Sequence, residues 1–304
     1  MDRTPLLILA FVGVFAAFPA LNVGDYLLRA ITLFLLYLIL AQSWNILGGY
    51  GGQVSLGNSS FFGIGGYAAA LLIVSGLGIP VAVVIGGLIA SALTFFMIPA
   101  FRLRASYFAI LTLFLGAAMQ ALVTQLAVTT NTPATIYLPI GLIPTNLLYY
   151  EILTVTTLTL VLVMVLQRSK IIYALNAIKA DEDSAESLGI NVTLCKTIGL
   201  FLMSLMTGVA GGLYVAFIGF AEPSDIFAIE WGVYPLFMTI VGGTGTYVGP
   251  IIGAAIFAIA LQWLVTFMGP FSLLSLAILL VVIVLSMPNG IINIVARFKG
   301  QKQS

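Results

Sequence analysis

The chain has 304 residues, 61% of them hydrophobic and 7% charged, with a mean hydropathy of +1.18. A soluble domain carries about a quarter charged residues, so this chain has too few to coat a water-facing surface and reads as an all-α polytopic membrane protein. Eleven Lys and Arg against ten Asp and Glu give a formal charge of +1, with no basic excess for nucleic acid.

A spanning helix takes about 20 mostly apolar residues. On that template ten segments are predicted: 5–22, 27–48, 57–76, 79–100, 105–127, 149–167, 197–221, 231–243, 247–268 and 271–288. The first follows a barely basic start (Met1-Asp2-Arg3) and is followed at once by further apolar runs, so it reads as an uncleaved span and not a signal peptide. The third and eighth are short and dense in glycine, which points to broken or re-entrant helices. With the N-terminus inside and ten crossings, Arg3, Arg102, Arg104, Arg168, Lys170, Lys179, Lys196, Arg297, Lys299 and Lys302 fall inside and only Arg29 outside. A basic excess in short loops marks the cytoplasmic side, so both termini are expected there, with Asp25, Glu222, Asp225 and Glu230 outside.

Two connections are too long to be simple turns. The stretch 128–148 is rich in Thr, Pro and Asn and uncharged, so it is expected to pack on the outer face. The stretch 168–196 is the only sizeable polar block. Within it, Tyr173–Leu188 reads as one amphipathic helix: Leu175, Ile178, Ala185 and Leu188 on the apolar side, Asp181, Glu182, Asp183 and Glu186 on the wet side. Gly189 fits a C-terminal stop, and Asn191 or Thr193 can cap the next span. A bare connector needs only about 2–8 residues, so a docking helix for a cytoplasmic partner is the favoured reading over a solvated loop.

The charge map limits the chemistry. No Asp, Glu, Lys or Arg occurs between Arg29 and Arg102, between Arg104 and Glu151, or between Glu230 and Arg297. Proton-driven carriers use intramembrane ionisable groups as relays, and none is present at mid-membrane, so uphill transport would draw its energy from another subunit. The absence of histidine removes Ser-His and His-zinc catalysis. The single Cys195 permits neither an intrachain disulfide nor a thiolate cluster and reads as a packing residue. No Walker-type phosphate loop is present.

Small and polar residues gather at Gly48–Ser60, with Gly63, Gly65 and Gly66 beyond, and again at Gly242–Thr246, with Gly249, Pro250 and Gly253. Each cluster marks the second segment of a four-segment block (spans 2–5 and 7–10), and the two blocks enter the membrane from opposite sides. Glycine-interrupted segments at matching positions of inverted halves point to a transport pathway. Asn45, Gln53, Ser55, Asn58 and Ser59 can contact solute there or bond freed backbone groups, with Gly242, Gly243, Thr244 and Gly245 opposite. Gly208, Gly211 and Gly212 in span seven read as close helix packing. The whole is a single domain over 1–304, with halves near 27–127 and 197–288 joined by the polar block 168–196.

Four runs carry a resemblance. AQSWNILGGYGGQVSLG (41–57) resembles the signature of branched-chain amino acid ABC permeases, and RASYFAILTL (104–113) is similar to the segment marking their LivM-type branch. AIKADEDSAESLGIN (177–191) resembles the family's cytoplasmic coupling loop, and VGGTGTYVGP (241–250) its C-terminal Gly-Pro motif. The match covers roughly residues 40–290 in the family's order. It implies a type II importer permease of ten helices that binds no cofactor itself. Its implied partners are a homologous second permease, two cytoplasmic subunits that bind ATP and Mg, and an extracytoplasmic solute-binding protein, all at a prokaryotic inner membrane. It also implies that Ile178, Asp181, Glu182, Ala185, Leu188 and Gly189 couple to the ATPase. Relatives with these motifs are associated with branched-chain and other amino acids or with urea and short amides. A stand-alone channel and a sodium-coupled carrier remain rivals of a different class, because neither needs a buried charge.

Overall fold

The computed structural model describes residues 4–19, 24–103, 105–139, 144–286 and 290–291. The topology assignments of Arg3, Arg104, Arg297, Lys299 and Lys302, and the ends of the first and last predicted spans, lie outside the described residues. In chain order the helices are α1 (Thr4–Ala17), α2 (Asp25–Trp44), α3 (Asn58–Val74), α4 (Ile79–Met97), α5 (Ala105–Thr129) and α6 (Thr145–Leu166). They continue as α7 (Lys170–Ala180), α8 (Glu182–Ser187), α9 (Val192–Ile218), α10 (Pro223–Ile226), α11 (Glu230–Gly242), α12 (Gly249–Met268) and α13 (Ser272–Ser286).

The ten predicted apolar segments each hold a helix, yet not every one is long enough to span. Among the described residues, seven helical stretches are long and apolar enough to cross a bilayer, with α3 among the shorter ones. The eighth predicted span reaches spanning length only because α10 precedes the 13-residue α11. Both glycine-rich segments are therefore short helices approached through irregular backbone.

The helices pack reciprocally. α9 packs on α3 and α4, while α2 packs on α11 and α12. Within each block α3 meets α4 and α5, as α11 meets α12 and α13, and α2 touches α9. α2 lies at the centre, and every side chain from Leu35 to Tyr50 is buried. One face of the molecule carries α7 and α8. The opposite face carries a short antiparallel ribbon, β1 (Ile136–Tyr137) against β2 (Phe220–Ala221). That pairing holds part of the 128–148 stretch against the body, as its lack of charge predicts.

The α3–α9 contact depends on missing side chains. A Cβ on Gly65 would overlap the Gly208 backbone, and one on Gly211 would overlap the Phe62 carbonyl. Small residues let helix backbones approach where no water is available to be expelled. Replacing Gly211 with Leu should cost about 1–3 kcal/mol or more through overpacking, lowering the thermal unfolding temperature in detergent. Gly13→Ala, with no atom within 4 Å of the added Cβ, should leave it unchanged.

Candidate functional site

The centre of the molecule is built from a broken helix. After Trp44 the ladder of α2 widens into a π-helical turn over Asn45–Tyr50. The chain then runs without helix or strand through 52–56, left-handed at Gly52 (φ 68°), and re-enters a helix at Asn58. Backbone freed inside a bilayer must find partners, and several side chains supply them. The Trp44 indole Nε1 donates to the Ser55 carbonyl at 2.7 Å. The Leu56 N–H donates to Thr112 Oγ1 of α5 at 3.0 Å, and the Gly57 N–H to Ser55 Oγ at 3.2 Å.

Asn45 joins the two glycine clusters. Its Nδ2 donates to the Thr246 carbonyl at 2.9 Å, and its Oδ1 accepts from the Gly245 N–H at 2.9 Å. The turn it holds needs left-handed backbone, with φ of 125° at Gly243 and 72° at Gly245. Of the two roles open to Asn45, contact with solute or bonding of freed backbone groups, its amide takes the second with both atoms. Ser55 likewise spends its hydroxyl on its own turn. Gly242 packs against Gly249, and the Gly243 carbonyl accepts from Thr246 Oγ1 at 2.9 Å. These four residues build the junction. Thr244 alone of the 242–245 set is exposed.

Burial alternates along this non-helical segment. Gly51, Gln53, Ser55 and Gly57 point inward, whereas Gly52 and Val54 are exposed and Leu56 is half-buried. Gln53, Asn58 and Ser59 are buried as well, at 5%, 0% and 2% exposure. Gln53 Nε2 and both amide atoms of Asn58 have no hydrogen-bond partner among the described residues. The starts of α3 and α11 meet here: a Cβ on Gly232 would touch the Leu56 carbonyl and lie 3.6 Å from Ser59 Oγ. Thr112 and Gly116 of α5 complete the junction, the latter against Ser59 Oγ. Thr112 was missed as a site residue; its only signal is a hydroxyl inside an otherwise apolar run.

The 168–196 block folds as two helices, not one. Asp181 is extended (φ −162°, ψ 119°) and caps α8, its Oδ1 accepting from the Ser184 N–H at 2.7 Å. Hydrogen bonds from Ser184, side chain and backbone, hold its carboxyl below the ordinary carboxylate value. The Asp181-Glu182-Asp183-Ser184 run is a helix-start pattern, which explains the break. Ile178 and Ala185 are buried, as their spacing predicts, but Leu188 is 81% exposed because the chain turns out at Gly189 (φ 83°). Asn191 caps α9 through Oδ1 and the Leu194 N–H at 2.9 Å.

This block is tied to the broken helix. Lys179 Nζ donates to the Gly49 carbonyl at 2.7 Å, Gln167 Nε2 donates to the Tyr50 hydroxyl at 2.7 Å, and Leu175 lies against Gly51. Glu182, expected on the wet side, is exposed yet also paired: both carboxylate oxygens accept from Lys196 Nζ at 2.8 Å. The Lys196 side chain is 4% exposed and that of Glu182 51%. Glu182→Gln should leave a buried ammonium without its counter-charge and cost about 1–3 kcal/mol. Lys196→Met leaves a carboxylate that water can reach. Glu182→Gln is therefore expected to lower the unfolding temperature further than Lys196→Met.

The fold and this site define an all-α polytopic membrane protein whose polar groups converge on helix breaks, and among the described residues no group of three or more His, Cys, Asp or Glu can hold a metal. A family model described as branched-chain amino acid transport system / permease component matches residues 26–287, and the chain belongs to that family. It is similar to the high-affinity branched-chain amino acid transport system permease protein LivM of Salmonella typhimurium, at 26% identity over 293 residues, covering 86% of this chain and 68% of that protein. The Escherichia coli protein of the same name is 27% identical with the same coverage.

Proposed function

We propose that this chain is the non-catalytic permease subunit of an ABC importer that moves branched-chain amino acids across a prokaryotic inner membrane. Two cytoplasmic subunits bind and hydrolyse ATP with Mg, a homologous second permease completes the conduit, and an extracytoplasmic binding protein delivers the solute. The observation that carries this reading is the junction of the α3 and α11 starts, where buried amides of Gln53 and Asn58 stand unpartnered. Half-helix N-termini meeting at a broken segment are a recurring form of transport site.

Orientation follows from charge. Arg102, Arg168, Lys170, Lys179 and Lys196 all belong to turns or helix ends on the α7 face, which the basic-loop rule makes cytoplasmic. The reciprocal packing of α2–α5 and α9–α13 supports an inverted repeat. The exposed Leu188 then projects toward the ATPase, which would cover it, while Ile178 and Ala185 anchor the segment and Gly189 sets its turn. Asn58, Ser59 and Thr244 supply polar groups when the junction opens. With no Asp, Glu, Lys or Arg between Arg29 and Arg102 or between Glu230 and Arg297, the two glycine-rich segments hold no proton relay, and the energy enters through α7 and α8.

Purification from native membranes should bring down two ATPase subunits and a second permease. The reconstituted assembly with its binding protein should accumulate leucine only with ATP. Downhill flux through this chain alone, or uptake driven by a sodium gradient without nucleotide, would overturn the reading. Uptake of urea or a short amide in place of leucine would change the substrate class. Asn58→Leu removes an unpartnered polar group, so stability should hold or rise while uptake falls at least tenfold. Leu188→Asp should leave the permease folded and reduce ATPase binding.

A further inference from the structure

The non-helical segment 52–56 raises a question the helices do not: what its exposed side faces. Non-helical backbone in the hydrocarbon region cannot face lipid, because lipid offers its N–H and C=O groups no partner. The inward side of 52–56 is satisfied in part by Trp44 and Thr112. On the outward side, the Val54 N–H and C=O find no partner among the described residues, and the Val54 side chain is 36% exposed. Its two ends fix its depth. Gly52 packs against the Lys179 side chain at the α7 face, with 2.8 Å between a Gly52 Cβ and Lys179 Cγ. Leu56 bonds Thr112, in the second turn of α5, so the segment climbs from that face into the membrane.

We propose that the outward side of 52–56 is the water-facing wall of the conduit, and that the solute passes the free main-chain N–H and C=O groups of Val54 with the Val54 and Leu56 side chains as an apolar rail. This deepens the permease reading and rests on it. On the two sides of the segment, the polar side chains at 53 and 55 then turn inward, with Ser55 Oγ accepting from the Gly57 N–H, and the apolar ones face the path. A wall of backbone dipoles and aliphatic side chains suits a neutral or zwitterionic solute with an aliphatic portion. Uncharged dipoles can meet both an ammonium and a carboxylate without the cost of burying a fixed charge.

The test is cysteine accessibility in the active reconstituted assembly, in a Cys195→Ala background. Single replacements Q53C, V54C, S55C and L56C are treated with a small, positively charged, membrane-impermeant methanethiosulfonate, applied to both faces. The expected result alternates: V54C and L56C react and lose at least tenfold of their ATP-driven uptake, while Q53C and S55C stay unreactive. If V54C does not assemble, L56C carries the same expectation. Unreactive thiols at 54 and 56 would show the outward side sealed by protein and overturn the inference, as would reaction without loss of uptake. Failure of the permease reading looks different: uptake by the assembly would then run without ATP, whatever the thiols do.

Discussion

The requirement that every backbone polar group at membrane depth find a partner governs how this protein is built. A continuous helix meets it internally; a broken one transfers the debt to side chains. The interaction on which the centre depends is the two-ended amide of Asn45, which bonds the Gly245 N–H and the Thr246 carbonyl at 2.9 Å each. One residue thereby closes the turn after α11 and ties it to the turn after α2. Gln42 adds a parallel link, donating to the Tyr247 carbonyl at 2.9 Å. The two helix breaks are thus held by each other, and neither can rearrange alone.

The same logic explains how the polar block can act at a distance on the proposed reading. α7 reaches the break by three different contacts: the Lys179 ammonium on the Gly49 carbonyl, Gln167 on the Tyr50 hydroxyl, and Leu175 on Gly51. Lys179 meets a carbonyl near the C-terminal end of a helix, where a cation is favoured. Nζ also lies 3.6 Å from where a Gly245 Cβ would stand, beside the loop that Asn45 holds. α8 is fixed differently, by the Glu182–Lys196 pair onto α9. A push at Leu188 therefore arrives at the first helix of each block, through a polar cluster in one case and an ion pair in the other.

Much of this architecture was legible in the sequence because the bilayer imposes a length on apolar runs and leaves charge only at their ends. Local stops were legible too: Gly189 acts through its own backbone and Asn191 through a side-chain bond to the Leu194 N–H three residues on, so neither needs a distant partner. Asn45 was not, since its two partners lie some 200 positions away and nothing local distinguishes an amide that clamps from one that binds solute. The break at Asp181 was written in a helix-start pattern but overridden by the helical spacing on either side. The period-two pattern Gln53-Val54-Ser55-Leu56 was also present. The sequence left its polar side two roles, contact with solute or bonding of freed backbone, and the burial of Gln53 and Ser55 with the exposure of Val54 depends on packing that no local pattern encodes.

That inward turn has a consequence for energetics. A carrier that binds its solute through fixed charges must desolvate those charges whenever the site closes, at a cost of several kcal/mol per ion. This chain has no Asp, Glu, Lys or Arg between Arg29 and Arg102 or between Glu230 and Arg297, so a conduit formed by these blocks can close and reopen without moving an ion out of water. It also has nothing with which to hold a solute tightly against a gradient. Direction must then be imposed by which side the junction opens to, and not by affinity within it. On the proposed reading, the contacts of α7 with the turn after α2 and of α8 with α9 put that choice at the one part of the chain rich in charge.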